Sequence, residues 1–339
     1  MNILAISCGS PNGNCEILLK AALNAAISSL PGTTGSILNL SNLSFPSYPI
    51  PGTFDPSTGS ANAIPQGLPI KDQVPDDRPA ALDAILNADA LILASPVYTR
   101  QPAGILKYFC DKTLGPFVDA SFVRQVLEGQ KNGDPRFAKF APDKRVLKPR
   151  VAALIAVGGA TSTEWGSFAL PLMHQCVFSL HAKVVDQLHV DGRPFPGSVL
   201  LLEEEDVMQR AELLGRNVAS QMGKVFEEAK FLGDREGSCP HCHLDMIVLN
   251  GTGDNGIDCA VCGAKGKLVV DDKGIVGVTM FAEPVTSVIT MEGKARHMRE
   301  IGIVGKKLGP KMPGVKEEIQ RYKDMDEGLV LRMPSQDKE

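Results

Sequence analysis

Short apolar runs recur through the first 230 residues, and most of them are followed by a turn and a helical pattern. Apolar runs lie at 2–7, 90–94 and 151–157, and two segments of mixed polarity at 35–40 and 183–190 are also predicted to be strands. Segments rich in alanine and leucine, or with apolar residues at helical spacing, lie at 16–29, 80–87, 103–112, 168–180 and 203–231. Unbroken apolar runs are typical of strands buried on both faces of a parallel sheet. Their alternation with helices predicts a doubly wound α/β fold with five parallel strands.

Two long stretches interrupt this alternation. Residues 41–79 hold eight prolines between Pro46 and Pro79, which is too many for regular structure. Residues 114–149 are polar, and basic towards their end. We therefore interpret both stretches as insertions into the α/β domain.

The pattern changes after residue 233. Short β-like runs at 246–249, 267–270 and 275–280 alternate with glycines and four clustered cysteines. Beyond them, helical patterns lie near 291–301 and 315–325. The chain is thus predicted to contain an α/β domain over 1–233, a small β-rich module over 234–282 and a partly helical tail over 283–339.

Charge and hydropathy exclude several classes of protein. The formal net charge is −4, which gives no electrostatic reason to expect nucleic acid as a partner. No apolar run approaches the roughly 18 residues that a membrane-spanning helix needs, and no basic leader precedes the first apolar run. We therefore expect a soluble, cytoplasmic protein with no membrane association.

Three loops follow predicted strands and carry the candidate chemistry. In an open parallel sheet, ligands bind beyond the carboxyl ends of the strands. The first loop places Ser10, glycines and Asn14 directly before a helix, which suits a phosphate group but also suits an ordinary helix cap. The second exposes an aromatic ring, Tyr98, after a proline, and the third begins with the pair Gly158 and Gly159, which permits close backbone approach to a ligand.

In this order, the three loops resemble those of the NADPH-dependent FMN reductase branch of the flavodoxin-like superfamily. Residues 3–18 resemble that family's first strand, phosphate loop and helix start, and residues 88–98 resemble its second signature. Residues 106–111 match the helix that follows. The resemblance implies a flavodoxin-like domain that binds FMN and extends to about residue 230.

The resemblance also implies a set of cofactor-binding residues. Around the FMN phosphate it places Ser10, Asn12, Asn14 and Cys15; along the isoalloxazine ring Pro96, Val97, Tyr98 and Thr99; and at the flavin edge Gly158, Gly159 and Ala160. Two positions depart from the family pattern, because Asn12 stands where a basic residue is usual and Cys15 where a hydroxyl is usual. A helix amino-terminus also lowers a thiol pKa, so Cys15 is either a reactive thiol or a packing residue.

The function implied by the resemblance is that of an FMN-dependent NAD(P)H oxidoreductase. It would reduce a quinone-like or other small aromatic acceptor by hydride transfer in ping-pong turnover, as a homodimer or homotetramer. No catalytic side chain is specified, since the flavin carries the chemistry. His174, His181 and His189 are candidates to reach a substrate, although core packing is their more ordinary role. Arg100, Lys107 and the basic run 136–150 are candidate contacts for the nicotinamide phosphates, or else a solvated charged surface.

The clustered cysteines form two C-x-x-C pairs with the spacing of a tetrahedral metal site. The four predicted ligands are Cys239, Cys242, Cys259 and Cys262. Structural zinc in a ribbon-like module is the favoured interpretation, because residues 237–266 contain no aromatic residue of the kind that packs around rubredoxin-like iron. Iron is the alternative. Two rival functions remain: an electron-transfer flavoprotein with a rubredoxin-like iron centre, or a redox-sensing regulator whose ribbon binds a partner.

Overall fold

The computed structural model describes residues 1–45, 76–114, 118–201, 206–235, 237–251 and 253–325. Its main sheet consists of β1 (Asn2–Ser7), β2 (Thr34–Asn39), β3 (Ala90–Tyr98), β5 (Val151–Val157) and β6 (Lys183–Val190). These strands are parallel and lie in the order β2-β1-β3-β5-β6, and the short β4 (Gln101–Pro102) pairs antiparallel with the end of β3. This is the flavodoxin-like strand order, so the predicted fold class is confirmed.

Side chains of the central strands alternate between two cores. In β1, Leu4 and Ile6 pack on one face of the sheet, while Ile3 and Ala5 pack on the other. Both faces are covered by helices, which explains why these strands read as unbroken apolar runs. The helices of this domain are α1 (Asn14–Ser29), α2 (Arg78–Asn87), α3 (Gly104–Thr113), α4 (Ala120–Lys131), α5 (Ala169–Phe178) and α6 (Val207–Gln221).

Helices α1 and α6 pack on the same face of the sheet and approach each other closely at Gly215. A Cβ atom at this position would lie 1.9 Å from the carbonyl oxygen of Ala22 in α1. Leu18 of α1 and Leu214 of α6 belong to the core on that face. Gly215 therefore sets the spacing between α6 and α1, the helix that begins after the first strand-end loop.

The structure corrects the predicted helix boundaries. The helix expected over 203–231 is only α6, which ends at Gln221 because Gly223 adopts a positive φ of 82°. The predicted insertion 114–149 contains the helix α4, whose Val123 and Val126 are fully buried. This stretch therefore contributes side chains to the domain core. Of the predicted insertion 41–79, residues 46–75 lie outside the described residues.

A buried arginine fastens the end of the insertion 114–149 to the end of α2. Arg150 is 2 % exposed, and its guanidinium donates hydrogen bonds to backbone carbonyls. The acceptors are the carbonyls of Leu86, Ala88, Arg145, Val146 and Lys148. Burial lowers its pKa to about 10. Arg150 is thus a structural cation and not part of a surface for nicotinamide phosphates.

The cysteine-containing module is an antiparallel sheet with the strand order β10-β9-β8-β7. Its strands are β7 (Ile247–Leu249), β8 (Gly256–Cys259), β9 (Lys265–Val270) and β10 (Val276–Met280). Two further helices follow, α7 (Met291–Leu308) and α8 (Lys316–Asp324). The β-rich module and the helical tail are therefore confirmed, although residues 326–339 of the tail lie outside the described residues.

The chain divides into two compact units, the first ending at Lys294 and the second beginning at Ala295. The finer division at residues 233 and 282 stays a prediction. None of the helices in the described ranges combines the length and apolarity that crossing a bilayer requires.

The contact at Gly215 predicts a stability difference between two glycine substitutions. Gly215→Ala inserts a methyl group against the α1 backbone and is expected to lower the free energy of unfolding by about 1–3 kcal/mol. The matched control is Gly104→Ala in α3, where a Cβ meets no described atom within 4 Å. Urea unfolding followed by circular dichroism measures both. Equal stability of the two variants would contradict the close packing of α1 against α6.

Candidate functional site

The predicted site residues lie at one edge of the main sheet because its strands are parallel. Pro96 in β3 is level with Val157, the last residue of β5. Beyond β6, the backbone N–H of Arg193 donates to the carbonyl of Gly158 at 2.9 Å, and that of Gly192 donates to Ala160 at 3.0 Å. The loops after β3, β5 and β6 therefore meet, as expected for the crevice at the carboxyl ends of parallel strands.

The loop between β1 and α1 is a tight turn. The N–H of Gly13 donates to the carbonyl of Ser10 at 3.0 Å, and Asn12 adopts a left-handed φ of 59°. Gly13 is the N-cap of α1 and has no side chain with which to cap the helix. Ser10 and Asn12 are exposed beside it. The helix amino-terminus and the Ser10 hydroxyl thus fit a phosphate group, as the sequence predicts.

Glu16 also lies at this helix start and accepts from the N–H of Asn12 at 3.1 Å. Its hydrogen bond with Lys20 lowers its pKa, so the carboxylate is charged at neutral pH. A bound phosphate would share this turn with a carboxylate already neutralised by Lys20, whose ammonium lies 2.6 Å away.

Asn14 and Cys15 are both predicted to surround the phosphate, but the side chain of each contacts other parts of the protein. The Asn14 amide donates to the carbonyls of Arg193, at 3.1 Å, and Phe195, at 2.9 Å, and thereby fastens the loop after β6 to the phosphate loop. The Cys15 thiol is 2 % exposed within the core, and burial raises its pKa to about 12. Cys15 is thus a packing residue and not a reactive thiolate, and only its backbone can face a ligand.

The loop after β3 is a two-residue hairpin turn. Thr99 and Arg100 both adopt left-handed φ angles, of 49° and 70°, between the paired segments of β3 and β4. This combination is the type I′ geometry that matches strand twist. It leaves Tyr98 61 % exposed at the sheet edge. The Arg100 guanidinium reaches across to the β5 loop, where it donates to the carbonyl of Glu164 at 2.8 Å.

A cavity of about 190 Å³ lies between these loops. Five of its lining residues belong to the predicted flavin site, namely Val97, Thr99, Gly158, Gly159 and Ala160. The others are Arg100, Trp165, Gly166 and Asp191. A Cβ on Gly159 would lie 3.3 Å from Pro194, so glycine keeps the loops close and the backbone accessible. Paired glycines with the exposed rings of Tyr98 and Trp165 fit a planar aromatic cofactor.

Most of the cations suggested for nicotinamide phosphates already have partners. Lys107 pairs with Asp111, Arg136 with Asp134, and Arg145 with Asp143. Arg100 is bonded within the site, and Arg150 is buried. The structure therefore favours the charged-surface interpretation for the basic run.

A second, larger cavity of about 850 Å³ shares Gly166 and Asp191 with the first. Its walls come from four parts of the chain: the β5 loop with α5, the end of β6, the start of α6, and the segments around the first cysteine pair. Its size falls within the range of about 300–1,000 Å³ that is usual for small-molecule sites. No motif in the sequence indicates this cavity.

A histidine and an aspartate lie where the two cavities meet. His189 lines the larger cavity, and its Nε2 lies 3.4 Å from Oδ1 of Asp191. A Cβ on Gly166 would lie 1.8 Å from the His189 ring, so only glycine leaves room for the imidazole. His189 is one of the three histidines predicted from the sequence as candidates to reach a substrate. The other two are accounted for: His174 bonds to Gln187 at 2.9 Å, and His181 stacks on Phe226 with ring centroids 4.1 Å apart.

The four predicted metal ligands form one buried cluster. Their sulfur atoms all lie within 4.8 Å of one another, and the pairs Cys239–Cys262 and Cys242–Cys259 are each 3.5 Å apart. Tetrahedral zinc with bonds of about 2.3 Å requires sulfur separations of about 3.8 Å. The donor set fits zinc or iron.

Both cysteine pairs lie on turns of the same form. The residue after each second cysteine, His243 or Gly263, adopts a left-handed φ and donates its N–H to the carbonyl of the first cysteine of its pair. Aromatic rings do contact this module, because Phe178 and Phe226 of the α/β domain pack against the cysteine cluster. The absence of aromatic residues within 237–266 is therefore weaker evidence for zinc than the sequence alone suggests.

Comparison with known proteins agrees with this architecture. The family model for NADPH-dependent FMN reductase matches residues 1–190. A flavone synthase of Aspergillus candidus is 38 % identical over 342 residues, which cover 99 % of each chain. Among solved structures, a flavone reductase superposes with a TM-score of 0.72 at 24 % identity, covering 98 % of this chain and 100 % of its own. The last likeness extends the shared fold to nearly the whole chain.

The cysteine cluster predicts one zinc ion per chain in the purified protein. Cys259→Ser removes one thiolate and is expected to abolish stoichiometric metal and to destabilise the module, because the ion supplies much of its core. Cys110→Ser, which alters a cysteine outside the cluster, is expected to retain the metal. Elemental analysis measures all three proteins. Stoichiometric iron with a reddish chromophore would contradict the zinc assignment.

Proposed function

The chain belongs to the NADPH-dependent FMN reductase family, and on this basis we propose that it is an FMN-dependent oxidoreductase acting on a flavone-type substrate. The substrate class is suggested by the flavone synthase, whose match extends through the cysteine module. A flavone is a small aromatic carbonyl compound, so this proposal narrows the acceptor class expected from the sequence.

The proposed reaction interconverts a flavanone-type ring and a flavone-type ring by two-electron transfer. One substrate C–H bond breaks with loss of a hydride, the neighbouring C–H bond next to the carbonyl loses a proton, and a C=C bond forms. When bound, FMN supplies the hydride acceptor or donor. For flavone reduction, NADPH would provide the hydride. After flavanone oxidation, dioxygen would take the two electrons, with two protons, from the reduced cofactor.

The residues proposed to hold FMN are those at the strand ends. Ser10 and Asn12, with the backbone of Asn14 and Cys15, would contact the phosphate. Pro96, Val97, Tyr98 and Thr99 would line one side of the ring system, and Gly158, Gly159 and Ala160 the other. The Asn14 side chain acts as a positioning group, because it holds the loop after β6 against this site.

The observation that carries the substrate proposal is the junction of the two cavities. The larger cavity meets the proposed flavin site at Gly166 and Asp191. Leu170, Pro171 and Leu188 give it an apolar wall. A flat aromatic substrate bound there would have one end at the flavin edge and its remaining rings in the larger cavity.

His189 is proposed to move the proton of this reaction. Its imidazole lines the substrate cavity, and its Nε2 faces Asp191 at 3.4 Å. The ring packs against Gly166, which limits its orientation beside the cavity. In flavone reduction, protonated His189 would give its proton to the carbon next to the substrate carbonyl; in the reverse direction it would take that proton.

The proposal also includes the location and the oligomeric state of the protein. The protein is expected to be cytoplasmic, and it is expected to assemble as a homodimer or homotetramer. The proposed electron donor is NADPH, as in the family, and NADH is tested beside it.

Anaerobic half-reactions test the proposed function. The FMN-loaded protein is mixed with NADPH, with NADH or with flavanone, and the absorbance band of oxidised flavin is followed. Bleaching by a nicotinamide and by flavanone is expected, and the NADPH-reduced protein should be reoxidised by flavone. Bleaching by neither nicotinamide nor flavanone would overturn the oxidoreductase proposal. Reoxidation by quinones but not by flavone would overturn the flavone-type substrate.

The proton-transfer role predicts separate effects on the two half-reactions. His189→Asn should leave flavin reduction by NADPH within about twofold, since that step needs no proton donor from the protein. It should slow flavone reduction about 10²–10⁴-fold, the usual contribution of a general acid. His297→Asn, which alters an exposed histidine, is the matched control. Unchanged flavone reduction in His189→Asn would disprove the role.

A further inference from the structure

The larger cavity is built jointly by the α/β domain and the cysteine module. Four consecutive module residues, His243 to Met246, line it directly after the first cysteine pair. Opposite them lie residues of α5 and β6, including Leu170 and Leu188. The module is therefore one wall of the cavity in which the substrate is proposed to bind.

A buried polar contact fixes this wall to the main sheet. The Gln187 side chain donates from Nε2 to the carbonyl of His243 at 2.7 Å, while its Oε1 lies 2.9 Å from Nε2 of His174. Both Gln187 and His174 are buried, so the amide would lose these partners only at the cost of an unsatisfied polar group. The His243 ring also stacks on Phe231, with centroids 4.0 Å apart.

The same wall is fastened to a metal ligand through the backbone. The N–H of Cys239 donates to the carbonyl of Leu244 at 3.3 Å, and the N–H of His243 donates to the carbonyl of Cys239 at 2.8 Å. The Asp245 carboxylate accepts from the N–H of Ser238 at 2.7 Å. The turn that holds Cys239 and Cys242 therefore also sets the path of residues 243–246.

We propose that the cysteine module is a specificity element, in which Leu244 and Met246 select the substrate by the size and shape of its outer rings. Both side chains are half-buried and apolar, and Met246 is flexible enough to adapt to ring substituents. The flavin site does not include them. The proposal rests on the proposed function for the identity of the substrate.

Substitutions that enlarge the cavity test this role. Leu244→Ala and Met246→Ala should raise KM for unsubstituted flavone about tenfold or more, the usual effect of lost apolar contact in a substrate pocket. They should lower KM for flavones with a bulky substituent on the outer ring. FMN affinity and flavin reduction by NADPH should stay near the wild-type values. Because Leu244 and Met246 also pack against the cysteine cluster, metal content and melting temperature are measured for each variant, and KM values are compared at a temperature where the variants are folded.

The matched control is Leu249→Ala, on β7 of the same module. Leu249 is 71 % exposed and does not line the cavity. It should leave KM for every substrate unchanged. An unaltered ratio of KM values between small and bulky flavones in the Leu244 and Met246 variants would overturn the proposal, and so would an equal change in the control.

A failure of the proposed function gives a different result. In that case the wild-type protein does not reoxidise with any flavone, and the same variants are compared with quinones of one, two and three rings. A shift in ring-number preference would retain the module as a specificity element with another substrate. An unchanged preference would reject it.

Discussion

The parallel pairing of β1, β3, β5 and β6 is the constraint on which the proposed chemistry depends. Parallel strands buried on both faces must end at a common edge, and their connecting loops must meet there. This brings the phosphate loop, the hairpin turn at Thr99 and Arg100, and the glycines at 158 and 159 together. An antiparallel sheet of the same sequence segments would distribute these loops between two opposite edges.

Local pattern was sufficient to predict the elements of this sheet. The strand β5 begins and ends where its apolar run does, because a strand packed on both faces admits few polar residues. Pattern failed where distant contacts decide the structure. The amide of Asn14 suits a phosphate as well as it suits a loop, and its partners at 193 and 195 are separated from it by about 180 residues of sequence. The early end of helix α6 has a local cause, since Gly223 adopts a left-handed φ two residues after its last residue, Gln221.

The candidate site was predicted in part for the same reason. The loops after β1, β3 and β5 contain residues that resemble a family motif, whereas the loop after β6 contains none. The rule that ligands bind beyond the carboxyl ends of parallel strands applies to that loop equally. Its Asp191 faces both cavities. The role of Gly166 is evident only in three dimensions, since the ring of His189 occupies the space that any Cβ there would fill. Cavities assembled from four separate segments have no signature in local sequence.

The contacts of the cysteine module also bear on the rival functions. A ribbon that binds a partner independently would expose both of its turns, but here the first turn is bonded to Gln187, and Phe178 and Phe226 complete the apolar surroundings of the cysteines. Such a module gains much of its core from the α/β domain, since a sheet of this size buries little apolar surface alone. The arrangement of the cysteine cluster and the shape of the larger cavity are consequently linked through one set of backbone hydrogen bonds. This coupling favours a module that serves the enzyme's own substrate over one that serves a separate partner.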